Sequence, residues 1–189
     1  MSTGTRVPLD EANLVAGALA KDLAPACHRI EVAGSIRRGR PDVGDIELVA
    51  VPIIGTIPDG MFGEGQVNRL AERIDWLLGA GVLAPHPIDP KRGERYSKLL
   101  HADSGLQVDI FSASAETFGL IFLIRTGPAA YSQRFVTDLR RRGLHVAGGQ
   151  LHRGGLGCGA YECELVPTPE EADVYAAARW PFVKPELRA

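Results

Sequence analysis

Residues 45–51, Asp-Ile-Glu-Leu-Val-Ala-Val, constrain the fold of this chain more than any other stretch. Side chains i and i+2 of a strand share a face, so Asp45 and Glu47 point one way while Ile46 and Leu48 point the other. A strand of this kind buries one side and presents two carboxylates on the opposite side. The segment from Gly34 to Glu47 also carries a Gly34-Ser35 turn and three arginines, Arg37, Arg38 and Arg40. Backbone N–H groups and cations suit phosphate oxygens, and carboxylates suit Mg²⁺, so the segment unites what nucleotidyl transfer needs. A second run, Gln107–Phe111, sets Asp109 between Val108 and Ile110 and offers a third acid from a neighbouring strand. Acid-apolar-acid strands and Gly-Ser-Arg turns are each common in solvated positions. Their close succession here is what gives them weight.

In this order and spacing, Val32-Ala33-Gly34-Ser35 through Asp45-Ile46-Glu47 resembles the palm signature of family X DNA polymerases. Gln107–Phe111 is similar to that family's third metal-ligand strand, and Thr126-Gly127 followed by a helix is similar to its nucleotide-selection turn. Pro167–Glu171 and Trp180–Arg188 resemble the closing segment of bacterial members, and residues 52–94 carry the weakest likeness. The resemblance implies an α/β nucleotidyltransferase palm with a mixed sheet over residues 1–112, followed by a small α+β thumb over 113–189. It implies two Mg²⁺ ions, with Mn²⁺ an alternative, held by Asp45, Glu47 and Asp109. Nucleotide contacts would be Gly34, Ser35, Arg38, Gly44, Thr126, Gly127 and Ser132. DNA contacts would be Arg95, Lys98, Arg125 and Arg134. The family commonly carries an N-terminal DNA-gripping and lyase region. This chain starts almost at the palm, so no such lyase activity is expected, and a separate DNA-end-binding protein could supply the grip.

The sequence departs from the family in three places. Glu47 stands where aspartate is usual, and Ile124-Arg125 replaces an aromatic pair that helps exclude a ribose 2′-hydroxyl, so relaxed sugar selection is expected. Pro128 follows Gly127 where serine is common. Since an X-Pro bond lowers the cost of the cis form from ~2.5–4 to ~0.5–1 kcal/mol, a cis Gly127-Pro128 bond is expected, with a trans proline opening the helix as the alternative.

A net charge of −2 argues little for a polyanion partner, but the charges are sorted along the chain. Residues 125–153 hold six arginines and one acid, Asp138, while residues 162–173 hold five acids and no base. A local arginine-rich face can bind a nucleic-acid backbone on a near-neutral protein. Arg140-Arg141-Arg142 is read equally well as a helix end, where cations offset the dipole. No signal peptide or membrane-spanning run is evident, so a monomer in the cytoplasm, or in a host cytoplasm if viral, is expected. Cys27, Cys158 and Cys163 lack zinc-site spacing and are expected to be reduced. The histidines, including His28, His101 and His152, show no ligand spacing.

Local patterns predict a helix capped by Asp10, with Leu14, Val15, Ala18, Leu19 and Leu23 on one apolar stripe, then strand 29–33 and the phosphate turn. Residues 52–63 read as a loop, and Val67 to Leu78 has helical spacing. Phe118–Ile124 must be buried almost all round, and Tyr131, Phe135 and Leu139 mark the next helix. Leu144–His152 reads as a hairpin, and Thr168-Pro169-Glu170-Glu171 as a capping box.

The function expected from this reading is template-directed DNA polymerisation, probing a primer-template with a nucleoside triphosphate in a gap-filling repair role. Alternatives are template-independent terminal transfer, transfer to RNA, protein or a small molecule, and an inactive DNA-binding subunit.

Overall fold

The alternation at residues 45–51 becomes the centre of a mixed sheet in the computed structural model, which describes residues 5–58, 64–154 and 163–188. In chain order the first elements are β1 (Val7–Pro8), α1 (Leu9–Leu23), β2 (Cys27–Val32), α2 (Gly34–Arg37), β3 (Asp42–Val43) and β4 (Asp45–Pro52). Next come β5 (Ile54–Pro58), β6 (Glu64–Asn68), α3 (Arg69–Gly79), β7 (Leu83–Pro85), β8 (Lys91–Arg92), β9 (Tyr96–His101) and β10 (Gln107–Ser112). The remainder is α4 (Phe118–Thr126), α5 (Ala129–Arg141), β11 (Leu144–Ala147), β12 (Gln150–Arg153), β13 (Glu164–Val166) and α6 (Glu171–Ala177). The main sheet has the order β2-β4-β10-β9-β7, with β8 also paired to β9. Its β4–β10 pair is parallel and its other pairs are antiparallel. This is a mixed α/β architecture.

The two faces of β4 have different fates. Ile46, Leu48 and Ala50 join Val108 and Ile110 in a core that α1 and α3 complete with Leu19, Leu23, Ile74 and Leu77. Each such side chain contributes roughly 1.5–3 kcal/mol by leaving water. On the other face, Val49, Val51 and Phe111 are covered by Phe118 and Phe122 of α4. Asp45, Glu47 and Asp109 lie on this same face, ahead of Val49 and Phe111 along β4 and β10. A third cluster forms where α4, α5, α6 and the sheet β11-β12-β13 bury Leu120, Phe135, Leu144, Leu151 and Tyr175. The β11–β12 hairpin turns at Gly148 and Gly149, which both have positive φ (58° and 81°), as a tight two-residue turn requires.

Several local expectations are corrected. Pro8, with φ −58°, precedes α1 directly, so Asp10 lies in the first turn instead of capping it. The buried stripe is Ala12, Ala16, Leu19 and Leu23, while Leu14 is 76% exposed. Residues 52–63 are not simply a loop, because β5 pairs with β6 from Ile54↔Asn68 onward; the β-branched Ile54, Thr56 and Ile57 outweigh the Gly and Pro signals, and residues 59–63 lie outside the described set. Glu170, not Thr168, caps α6, in a reciprocal box with Asp173. Thr168 is turned inward, its N–H donating to Glu116 O at 2.6 Å. No cis peptide occurs among the described residues: Gly127 (φ −70°, ψ 151°) and Pro128 (φ −64°, ψ 155°) form an extended trans link between α4 and α5. Cys163 is disulfide-bonded and Cys27 is a free thiol, so the expectation of reduced cysteines fails at Cys163; Cys158 lies outside the described residues. Arg141 pairs with Asp138 and Arg142 donates to Ala178 O, which favours the helix-end reading of that arginine run. No helix among the described residues is long and apolar enough to cross a membrane.

Helices α4 and α6 cross at Gly119, whose N–H donates to Thr168 O at 2.8 Å. A Cβ on Gly119 would lie 2.1 Å from Glu170 O, which is backbone and cannot swing aside. Gly119→Ala is therefore expected to lower stability by about 2 kcal/mol or more in urea denaturation, since overpacking typically costs ~1–3 kcal/mol. Wild-type stability in the variant would contradict the close crossing.

Candidate active site

Strand register brings the predicted acids together. On the parallel pair, Asp45 lies beside Gln107 and Glu47 beside Asp109. The i, i+2 rule then puts Asp45, Glu47, Gln107 and Asp109 on one face. Asp109 is 6% exposed, and both its oxygens are engaged: the Tyr96 hydroxyl donates to Oδ1 at 2.7 Å and Gln107 Nε2 donates to Oδ2 at 2.7 Å. Burial, with Asp109 nearby, raises the pKa of Asp45. Glu47 is pushed up to about 8 by burial and by the charges of Asp45 and Asp109, which the Arg125 and Arg38 guanidiniums only partly offset. The acids thus share one poorly compensated field.

Gly34 makes room for this arrangement. It has φ +64°, and a Cβ there would lie 2.3 Å from Glu47 Oε2. The glycine expected to touch nucleotide therefore first lets the turn pass over the Glu47 carboxylate. The helix that Gly34 opens, α2, is a single turn, so no long helix dipole acts here.

Two clefts flank the acid row. One, of about 430 Å³, is lined by Ser35, Arg38, Gly44 and Asp45, together with Arg6, Arg40, Pro41, Asp42 and Gln107. The Ser35 hydroxyl and Arg38 Nε are buried without hydrogen-bond partners among the described residues. Unpaired buried donors are costly, and anionic oxygens would satisfy them. The other cleft, of about 780 Å³, is lined by Glu47 and Asp109 with Arg95, Tyr96, Arg125 and the Gly148-Gly149 turn, among others.

Other predicted residues have different surroundings. Thr126 is fully buried and its hydroxyl accepts from Arg37 Nη1 at 2.8 Å, while its carbonyl accepts from Arg38. Ser132, 8% exposed, donates to Ile124 O at 2.8 Å and so ties α5 to α4. Gly127 allows Ser132 and Tyr131 to close in, since a Cβ would meet them at 2.7 and 2.9 Å. None of these three lines either cleft. Among the expected DNA contacts, Arg95 and Arg125 line the larger cleft but Lys98 and Arg134 do not. Arg95 donates to Gly148 O at 3.2 Å and Lys98 lies 3.6 Å from Asp89.

Sequence reasoning passed over three residues. Arg6 lines the smaller cleft while bonded to Asp42, and no local motif marks it. Tyr96 holds Asp109 across a strand pairing that only the fold creates. Gln107 was legible, because it sits two residues before Asp109 in the same strand.

Hard carboxylate oxygens suit Mg²⁺ or Mn²⁺, and the raised pKa values of Asp45 and Glu47 mark a deficit of positive charge that a divalent cation would fill. Among the described residues, however, no three His, Cys, Asp or Glu side chains are gathered closely enough to hold one ion in this arrangement. The donor set fits in chemistry, while both Asp109 oxygens are turned to Tyr96 and Gln107.

Glu47 makes the metal-free fold pH-dependent. Its folded state binds a proton more tightly than the unfolded chain, about 8 against 4.5, so its stabilising contribution is complete below pH 4.5 and is lost as pH rises through 8. The slope reaches at most about 1.4 kcal/mol per pH unit. Urea denaturation in chelator should show this fall, and Glu47→Gln should flatten it; an equal slope in both proteins would refute the assignment.

No family model matches the chain. Its sequence is similar to DNA polymerase lambda of Rattus norvegicus, with 24% identity over 166 residues. The match covers 82% of this chain and 28% of that protein, so the chain spans under a third of its relative. The similarity supports a distant relationship to that protein. The mixed α/β fold is compatible with that.

Proposed function

We propose that the chain is an X-type DNA polymerase that adds a nucleotide to a primer 3′-hydroxyl with release of pyrophosphate, filling gaps in DNA. The observation that carries this reading is the acid row shared by two clefts of different make-up. A cationic cleft with the Ser35 hydroxyl and Arg38 Nε unpartnered among the described residues opens on Asp45, and a larger cleft opens on Glu47 and Asp109. A triphosphate in the first and a primer end in the second would meet at the carboxylates.

In this proposal residues 1–112 form the palm and 113–189 the thumb. Ser35, Arg38 and Gly44, joined by Arg6 and Arg40, bind the triphosphate oxygens. Asp45, Glu47 and Asp109 would hold two Mg²⁺ or Mn²⁺ ions, which supply charge neutralisation at the α-phosphate and lower the pKa of the attacking hydroxyl. Asp109 acts on the primer side, and it must exchange at least one of its two present hydrogen bonds to do so. Arg95 and Arg125 face the primer-template. Thr126 and Ser132 act on the nucleotide indirectly, by fixing the α4–α5 turn.

The test is extension of gapped and open primer-templates by the purified chain with Mg²⁺ or Mn²⁺, beside an Asp109 variant. Templated extension lost in the variant supports the proposal. Extension of a single-stranded primer without template would favour terminal transfer, and no extension by the wild-type chain would overturn the polymerase reading.

A further inference from the structure

Arg125 sits at the end of α4 and lines the same cleft as Glu47 and Asp109. Its guanidinium carbon lies 3.9 Å from the centre of the Phe111 ring. Phe111 stands two residues beyond Asp109 on β10, and its ring stacks on Tyr96 at 4.8 Å and 10°. The Tyr96 hydroxyl in turn holds Asp109. A fixed run therefore leads from the guanidinium through two rings to the carboxylate.

The stacking locates Arg125 but gives its charge no ion pair among the described residues. Nε is buried with no hydrogen bond, and no ion pair to the guanidinium is found among the described residues. A guanidinium does not lose its proton at any ordinary pH, and it is weakly hydrated enough to persist in such a place. Glu47 and Asp109 line the same cleft as the guanidinium, so the acid row is negative charge that Arg125 faces there.

We propose that Arg125 is a built-in counter-ion of the acid row: it supplies in the metal-free protein part of the positive charge that a divalent cation brings, and the cation binds against its repulsion. This rests on the reading of Asp45, Glu47 and Asp109 as a metal site. A monovalent charge facing the same half-buried cleft as a divalent ion changes its affinity by about tenfold. Because the side chain is pinned on Phe111, it tunes metal affinity as a fixed charge.

The experiment is a Mn²⁺ titration of the full chain, free of nucleotide and DNA, with free Mn²⁺ read by electron paramagnetic resonance. Arg125→Met keeps an unbranched stem over Phe111 and removes the charge; Arg125→Lys keeps the charge; Asp45→Asn reports on the acid row. Arg125→Met is expected to bind Mn²⁺ about tenfold tighter than wild type, and Arg125→Lys to stay within about threefold. The metal-free melting temperature of Arg125→Met should fall, and added Mn²⁺ should raise it more than it raises that of wild type. If Arg125→Met does not fold, Arg125→Gln is read in its place with the same expectation. Mn²⁺ affinity in the charge-free variant within about twofold of wild type, with binding weakened by Asp45→Asn, overturns the counter-ion while the metal site stands. No Mn²⁺ binding by wild type or Arg125→Met overturns the metal site and the counter-ion together.

Discussion

Asp109→Asn is expected to reduce nucleotide addition to a primer at least about a thousandfold, while triphosphate affinity stays within about twofold. The split follows from the two clefts: Asp109 lines the larger one, whereas the unpartnered Ser35 hydroxyl and Arg38 Nε lie at the smaller one. Asparagine keeps the shape and can still accept from Tyr96 at Oδ1, so the strand should remain in register. Single-turnover extension beside equilibrium binding of a non-hydrolysable triphosphate measures both quantities. Equal losses in binding and turnover would mean that Asp109 organises the whole site, not the transfer step.

Glu171→Ala should produce the largest loss of stability, about 3–5 kcal/mol. Glu171 is 5% exposed and accepts from Arg37 at 3.0 Å through both oxygens and from the fully buried Arg188 at 2.6 Å. Burial by itself raises the pKa of Glu171, but the hydrogen bonds from Arg188 and Arg37 hold it below its ordinary value. Arg37 belongs to the turn before the acid strand and also lies flat on Phe122, 3.8 Å from its centre. Removing the one carboxylate leaves two guanidiniums without their shared partner, and water cannot replace it at the fully buried Arg188. The triple variant Arg37→Met, Glu171→Leu, Arg188→Met should lose less than the single one, because it removes the charges together. Guanidinium denaturation of the two proteins decides the matter, and a single-variant loss below about 1 kcal/mol would make this a solvated pair of ordinary weight.

The same triad shows where the sequence stopped being legible. Thr168-Pro169-Glu170-Glu171 reads as a helix start, and a helix does start there. That Glu171 is committed to two arginines, 134 and 17 residues away, has no local signature. Thr126 ends α4 and Ser132 lies in the first turn of α5, yet their hydroxyls serve Arg37 and the α4 carbonyl end. The expected cis proline failed because extended Gly127 and trans Pro128 already join the two helices. At residues 54–58 the β-branched side chains found a partner strand that a reading of Gly and Pro alone could not supply.

What the sequence determined by itself was local and periodic. A two-residue repeat places Asp45 with Glu47, and Gln107 with Asp109, because strand geometry leaves no other choice, and the Gly34-Ser35 turn declares itself by composition. Tertiary structure alone decided the remainder: that β4 and β10 lie side by side in a register matching Glu47 to Asp109, that Tyr96 reaches Asp109, and that Arg6 and Arg125 arrive from distant segments on either side of the acids. Such meetings depend on which apolar faces bury one another, and burial is non-directional, so no residue's neighbours in the chain encode its partner across the core.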